Sequence, residues 1–153
     1  MTRREMTRRE AREQAFFFLF EKIFNDSDIE DIVEQAMLAR DIEVDQYAIK
    51  VFKGVSEHIE QIDNIIQKYS IGWKNSRIPK VTFSILRLAV YEMLYEDIPM
   101  SVSINEAVEL IKIYAGTEDS SFANGILSSF FKDLTKQDEE TKEASEEQEN
   151  DKI

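Results

Sequence analysis

From Ala11 to Leu134 apolar residues recur every three or four positions, and no stretch alternates apolar with polar. That period marks one face of an α-helix, and a chain that keeps it almost end to end buries its apolar surface by packing helix on helix. Ala11, Ala15, Phe18, Leu19 and Ile23 form one stripe, with Phe16, Phe20 and Phe24 on a neighbouring one. A second helix is expected after Ser27-Asp28-Ile29-Glu30, which reads as a capping box. Ala48, Val51, Phe52, Val55, Ile59, Ile62, Ile66 and Tyr69 predict one long helix from Asp45 that stops before Gly72. Pro79 suits the first turn of a helix running to about Glu96, apolar nearly all round as a central buried helix should be. Ser103-Ile104-Asn105-Glu106 reads as another capping box, opening a helix that Gly116 closes. The last helix starts near Ser120 and stacks Phe122, Ile126, Phe130 and Leu134; Gly125 inside it suggests a close helix–helix approach. With only 4 glycines and 2 prolines in 153 residues, turn-rich β classes are disfavoured. The class is all-α, one domain of about six to seven helices.

Charge divides the chain into three. Residues 1–12 hold Arg3, Arg4, Arg8, Arg9 and Arg12 against Glu5 and Glu10, while the whole chain carries −12. A helix start prefers acids, so arginines there do not serve helix stability, and a basic arm on an acidic body can hold a polyanion locally. The arm begins with Met-Thr-Arg-Arg-Glu twice, so residues 1–7 read as a duplicated basic start and Met6 as the functional one. Residues 8–134 are the domain. Residues 135–153 hold three lysines against eight acids with one apolar residue beyond alanine, a composition expected to stay disordered. No apolar stretch is long enough to span a bilayer, the start lacks a signal peptide's apolar segment, and no cysteine occurs; the expectation is a soluble cytoplasmic domain with no membrane partner.

Catalytic chemistry is poorly supplied. His58, the single histidine, lies beside the Val55/Ile62 stripe and reads as structural. The glycines are scattered, so no loop cradles a phosphate. Asp26-Ser27-Asp28-Ile29-Glu30 resembles the start of a calcium loop, but Asp31 takes the place of the glycine and Met37 that of the closing glutamate. No enzyme, metal or cofactor is expected.

Three segments resemble the NusB family of bacterial transcription antitermination factors. Arg12-Glu13-Gln14-Ala15, with the arginines before it, is similar to the family's first helix. Leu86-Arg87-Leu88-Ala89-Val90-Tyr91-Glu92 is similar to its central helix. Most specific are Pro99, Ile104-Asn105-Glu106-Ala107-Val108-Glu109-Leu110-Ile111-Lys112 and then Ser121-Phe122-Ala123-Asn124-Gly125-Ile126-Leu127. The resemblance covers about residues 8–132. It implies two small helical bundles and no catalysis. It implies binding of boxA RNA in ribosomal RNA leaders together with the ribosomal protein NusE, as part of the RNA polymerase antitermination complex. Carried onto this chain, the RNA-facing residues would be Arg8, Arg9, Arg12, Phe122 and Asn124, and the NusE-facing ones Phe20 and Thr82.

The residues read by themselves agree on the basic arm, since arginine forks match phosphate oxygens and stack on bases. Phe122 also fits the core stripe with Ile126 and Phe130, and Asn124 fits an exposed or helix-packing role equally well. Phe16, Phe17, Phe18, Phe20 and Phe24 point in too many directions for one buried face, so at least one should be exposed for a partner, with Phe20 the choice. The alternative reading is a helical protein–protein adaptor or homodimer in which that aromatic surface does the work and RNA is incidental.

Overall fold

The computed structural model describes residues 5–40 and 43–150, so the expectations for residues 1–4, Arg3 and Arg4 included, and for 151–153 lie outside the described residues. Seven α-helices follow one another: α1 Arg8–Phe24, α2 Ile29–Arg40, α3 Gln46–Glu57, α4 Ile59–Tyr69, α5 Lys80–Tyr95, α6 Met100–Ala115 and α7 Thr117–Asn150. A single 3-10 turn, Asn75–Arg77, precedes α5, and no strand occurs among the described residues.

Helix α5 is the hub. It packs against α1 and α3 on one side and against α4, α6 and α7 on the other, while α2 closes over α1 and α3. The two helical groups therefore share one core, in which Ile85, Leu86, Leu88, Ala89 and Val90 of α5 meet Phe18 and Phe52 from one group and Ile62, Ile66, Ile111 and Leu127 from the other. Phe18 and Phe52 stack with ring centroids 5.5 Å apart. Each of these large side chains, fully removed from water, contributes on the order of 1.5–3 kcal/mol.

Four local expectations differ from the structure, each for a physical reason. The long helix predicted from Asp45 breaks at His58, which caps α3 through its N–H to the Gly54 and Val55 carbonyls and then opens α4. At Gly54 the Tyr91 ring of α5 sits where a Cβ would lie, so α3 presses on α5 and the chain must turn before α4 can reach it. Ser103 does not cap α6, because Pro99 already starts that helix one turn earlier; Ser103 is buried inside it. Gly125 approaches nothing: it faces solvent, with no atom within 4 Å of a Cβ built on it. The tail expected to be disordered from residue 135 continues α7 to Asn150, with every side chain from Thr135 to Gln148 exposed. Its glutamates, lysines and glutamines are good helix formers, and they extend a helix whose nucleation cost the packed residues 117–134 have already met.

Candidate nucleic-acid interface

The interface grows from the first turn of α1. Thr7 is its N-cap: the Thr7 hydroxyl accepts from the Glu10 N–H at 3.1 Å, and the Glu10 carboxylate accepts from the Thr7 N–H at 3.2 Å. This reciprocal cap satisfies two otherwise unpaired backbone donors and sets an acid against the positive end of the helix dipole. The arginines that follow are unfavourable at that end, and each is held by something outside the helix.

Arg8 lies over the Tyr47 ring of α3, 3.6 Å from its centroid. The Tyr47 hydroxyl donates to Glu92 of α5, a carboxylate with 0% exposure. Arg12, 7% exposed, sends its Nε to both oxygens of Glu92 at 3.0 Å, and its Nη1 stands 4.0 Å from Glu106 of α6. Arg9, with its side chain 71% exposed, donates to Glu106 through Nε at 3.0 Å and Nη2 at 2.9 Å, a bidentate fork. An unbroken chain of contacts therefore runs Arg8–Tyr47–Glu92–Arg12–Glu106–Arg9 and ties α1 to α3, α5 and α6.

The protonation chemistry follows from this chain. Burial pushes the Glu92 carboxyl above the usual carboxylate range, opposed by the Tyr47 hydroxyl and the Arg12 guanidinium. The Tyr47 phenol is likewise raised by burial and by the adjacent Glu92. Glu106 moves the other way, held low by the Arg9 hydrogen bonds and charge against a smaller burial effect. The cleft between α1 and α6, about 60 Å³, is lined by Glu13, Glu106 and Glu109 as well as Arg9 and Arg12, so its net charge does not favour a phosphate. The cationic surface is the outer one, Arg8 and Arg9.

The residues expected at the interface thus separate. Arg8 and Arg9 present themselves to solvent. Arg12, expected beside them, is an internal strut that holds Glu92. Phe122 is half-buried near the start of α7, edge-on to Trp73 with centroids 6.4 Å apart, and Asn124, two residues further on, is exposed. Thr82, expected on the partner surface, is fully buried and donates from Oγ1 to Asp119 at 2.7 Å. Phe20 is half-buried, 5.2 Å from Phe24 and 6.2 Å from Phe16, and the exposed members of its cluster are Phe17 and Phe24, the latter at 67%. Phe17, Phe20, Glu21, Phe24 and Asn25 line an open groove of about 420 Å³ on α1.

Sequence reasoning missed Tyr47, Glu92 and Glu106. Glu92 carried a signal: a lone acid on a helix apolar nearly all round needs a buried cation. No group of three or more histidine, aspartate or glutamate side chains suited to a metal occurs among the described residues, and no described helix is long and apolar enough to cross a membrane.

The fold and the pinned arginine turn define an all-helical binding protein built around one buried ion pair. The pattern of the NusB family matches residues 9–132, and the chain belongs to that family, whose members are transcription antitermination factors and not enzymes. The transcription antitermination protein NusB of Acetivibrio thermocellus is 44% identical over 130 residues, 83% of this chain and 90% of that protein. That of Bacillus subtilis is 41% identical over 130 residues, 84% of this chain and 98% of the relative. Among solved structures, NusB of T. maritima superposes with a TM-score of 0.72 at 33% identity, over 82% of this chain and 91% of that one. A crystal structure of the antitermination factors NusB and NusE in complex with double-stranded RNA superposes with a TM-score of 0.73 at 28% identity, over 82% of this chain and 96% of that one.

Proposed function

We propose that this chain binds boxA-type RNA of ribosomal RNA leaders together with NusE, and so helps RNA polymerase read through terminators in the cytoplasm. The observation that carries the reading is the first turn of α1: two arginines held outward on a chain of net charge −12. A cation pair on an acidic body attracts phosphate at one place and repels it elsewhere, which favours a registered complex over diffuse binding. The solved complex of a similar chain with NusE and RNA supports both partners. Arg8 and Arg9 take the phosphates, Arg12 positions them through Glu92 and Glu106, and Phe122 and Asn124 add base contacts from α7. The α1 groove around Phe20 receives NusE, and Thr82 bears on that partner only through Asp119. Titration of labelled boxA-like RNA and a scrambled control, each with and without NusE, tests this. Preference for boxA that sharpens with NusE is expected; equal affinity for both RNAs at every NusE concentration would reject it in favour of an adaptor whose work is done by the aromatic groove.

A further inference from the structure

Arg9 and Glu106 meet in an arrangement that a bound phosphate has to undo. Nε and Nη2 of Arg9, the two parallel donors with which an arginine grips a phosphate, are both given to the Glu106 carboxylate, at 3.0 and 2.9 Å. The acid lies on the inner side of the pair, its side chain 21% exposed against 71% for Arg9. A phosphate arriving from solvent therefore meets a guanidinium whose fork is already filled by an anion.

A displaced carboxylate left beside Glu13 and Glu109 in the cleft between α1 and α6 would face like charges alone, yet two donors stand on its inner side. Arg12 gives its Nε to Glu92, and its Nη groups donate to no described residue; Nη1 is 4.0 Å from Glu106, just outside hydrogen-bond reach. Ser103 lies three positions before Glu106 on α6, a spacing that puts the two on one face of the helix. Its Oγ is fully buried and has no hydrogen-bond partner among the described residues. Buried hydroxyls are as a rule hydrogen-bonded, since one without a partner has lost its hydration for nothing, so Ser103 calls for a state of the molecule in which it is used.

We propose that Glu106 is a carboxylate switch with two seats: in the free chain it fills the Arg9 fork, and when a phosphate of the RNA takes that fork it swings inward to Arg12 Nη1 and Ser103 Oγ. The proposal rests on the α1 reading of RNA binding and adds a gate to it. Charge stays matched through the exchange, because the phosphate replaces the carboxylate on Arg9 and the carboxylate finds a second cation in Arg12. The exchange also carries the arrival of RNA inward, since the guanidinium that receives Glu106 already holds the buried Glu92.

The test is a double-mutant cycle on the full chain, read by anisotropy of labelled boxA-like RNA with NusE present, and by thermal melting. Glu106→Gln should tighten binding about fivefold, the order of one surface ion pair. Glu109→Gln removes the same charge one turn away, where the acid bears on Arg9 by charge without a hydrogen bond, and should change binding by less than about twofold. In an Arg9→Ala background Glu106→Gln should gain no more than Glu109→Gln does. Ser103→Ala removes part of the inner seat and should weaken RNA binding about threefold, the order of one hydrogen bond. Its Tm should stay level or rise, because a partnerless buried hydroxyl adds no stability to the free chain. Equal gains from Glu106→Gln and Glu109→Gln, or a Glu106→Gln gain that survives without Arg9, overturn the switch and leave only general charge repulsion. Unchanged affinity in Ser103→Ala overturns the inner seat. In each of these results the parent chain still binds RNA and the α1 reading stands; a parent chain that binds no RNA removes both.

Discussion

Replacing Arg12 by alanine tests whether this arginine is a strut or a ligand contact. Arg12 is 7% exposed and its Nε–H is shared between both Glu92 carboxylate oxygens at 3.0 Å, leaving only the Tyr47 hydroxyl once it is gone. A fully buried carboxylate stripped of its cation destabilises a fold by about 3–5 kcal/mol. For a chain of this size that is a fall in Tm of roughly 10 °C, at about 3 °C per kcal/mol. The loss should depend on pH with a definite sign. Burial already raises Glu92, and removal of Arg12 raises it further, so the folded variant takes up a proton that the unfolded chain does not. The deficit is then greatest at neutral pH and shrinks as pH falls towards 5. Thermal melting across this range is the assay, with RNA binding measured below the transition. A companion Arg12→Met/Glu92→Leu chain, with both charges removed, should regain most of the stability and keep most of the RNA affinity. An Arg12→Ala chain that melts within about 2 °C of the parent yet loses RNA binding would refute the reasoning and make Arg12 a direct contact.

Three further outcomes are expected. Glu106→Gln should release Arg9 and strengthen RNA binding; because Arg9 holds the Glu106 carboxyl low, the stability it adds is fully present above the ordinary glutamate range and is lost only as pH falls below that range, so the melting difference between parent and variant should shrink progressively in acid. Phe24→Asp should weaken NusE binding with little change in Tm, since that ring is mostly exposed, whereas Phe20→Asp should weaken NusE by about 2 kcal/mol or more and also lower Tm, being half-buried between Phe16 and Phe24; normal pull-down of NusE by both variants would remove the groove from the account. Deleting residues 136–153 should reduce far-UV helicity and leave Tm within about 2 °C, because the side chains of residues 136–148 are exposed; a larger fall would show that the end of α7 is held by packing.

The periodicity of apolar residues made the all-α class legible, because every helix that packs on another must carry a stripe. It was silent wherever a helix ended without losing its stripe. Val55, Ile59 and Ile62 keep helical spacing straight through His58, so the break between α3 and α4 left no mark except Gly54, whose meaning depends on Tyr91 37 residues away. The capping-box pattern misled at Ser103 because Glu106 has a partner 97 residues distant in Arg9, and a spacing of three cannot tell a backbone cap from an ion pair across the fold. It went unread at Thr7-Arg8-Arg9-Glu10, where the arginines drew attention to charge and away from the cap. At the interface, density of positive charge was visible and its accessibility was not. Arg8 and Arg12 differ by one helical turn, yet one reaches water and the other a buried carboxylate, a distinction made by α5.

The central claim is that RNA is gripped by the outward arginines of α1. Its most direct test is the salt dependence of boxA RNA affinity, with NusE present, for the parent and for Arg8→Ala/Arg9→Ala. Both side chains lie outside the core and Glu106 stays in contact with Arg12, so the double variant should fold normally. The account predicts a much lower affinity and a slope of log K against log salt shallower by about 1.4, two contacts at roughly 0.7 each. An unchanged affinity and an unchanged slope in a folded double variant would contradict it.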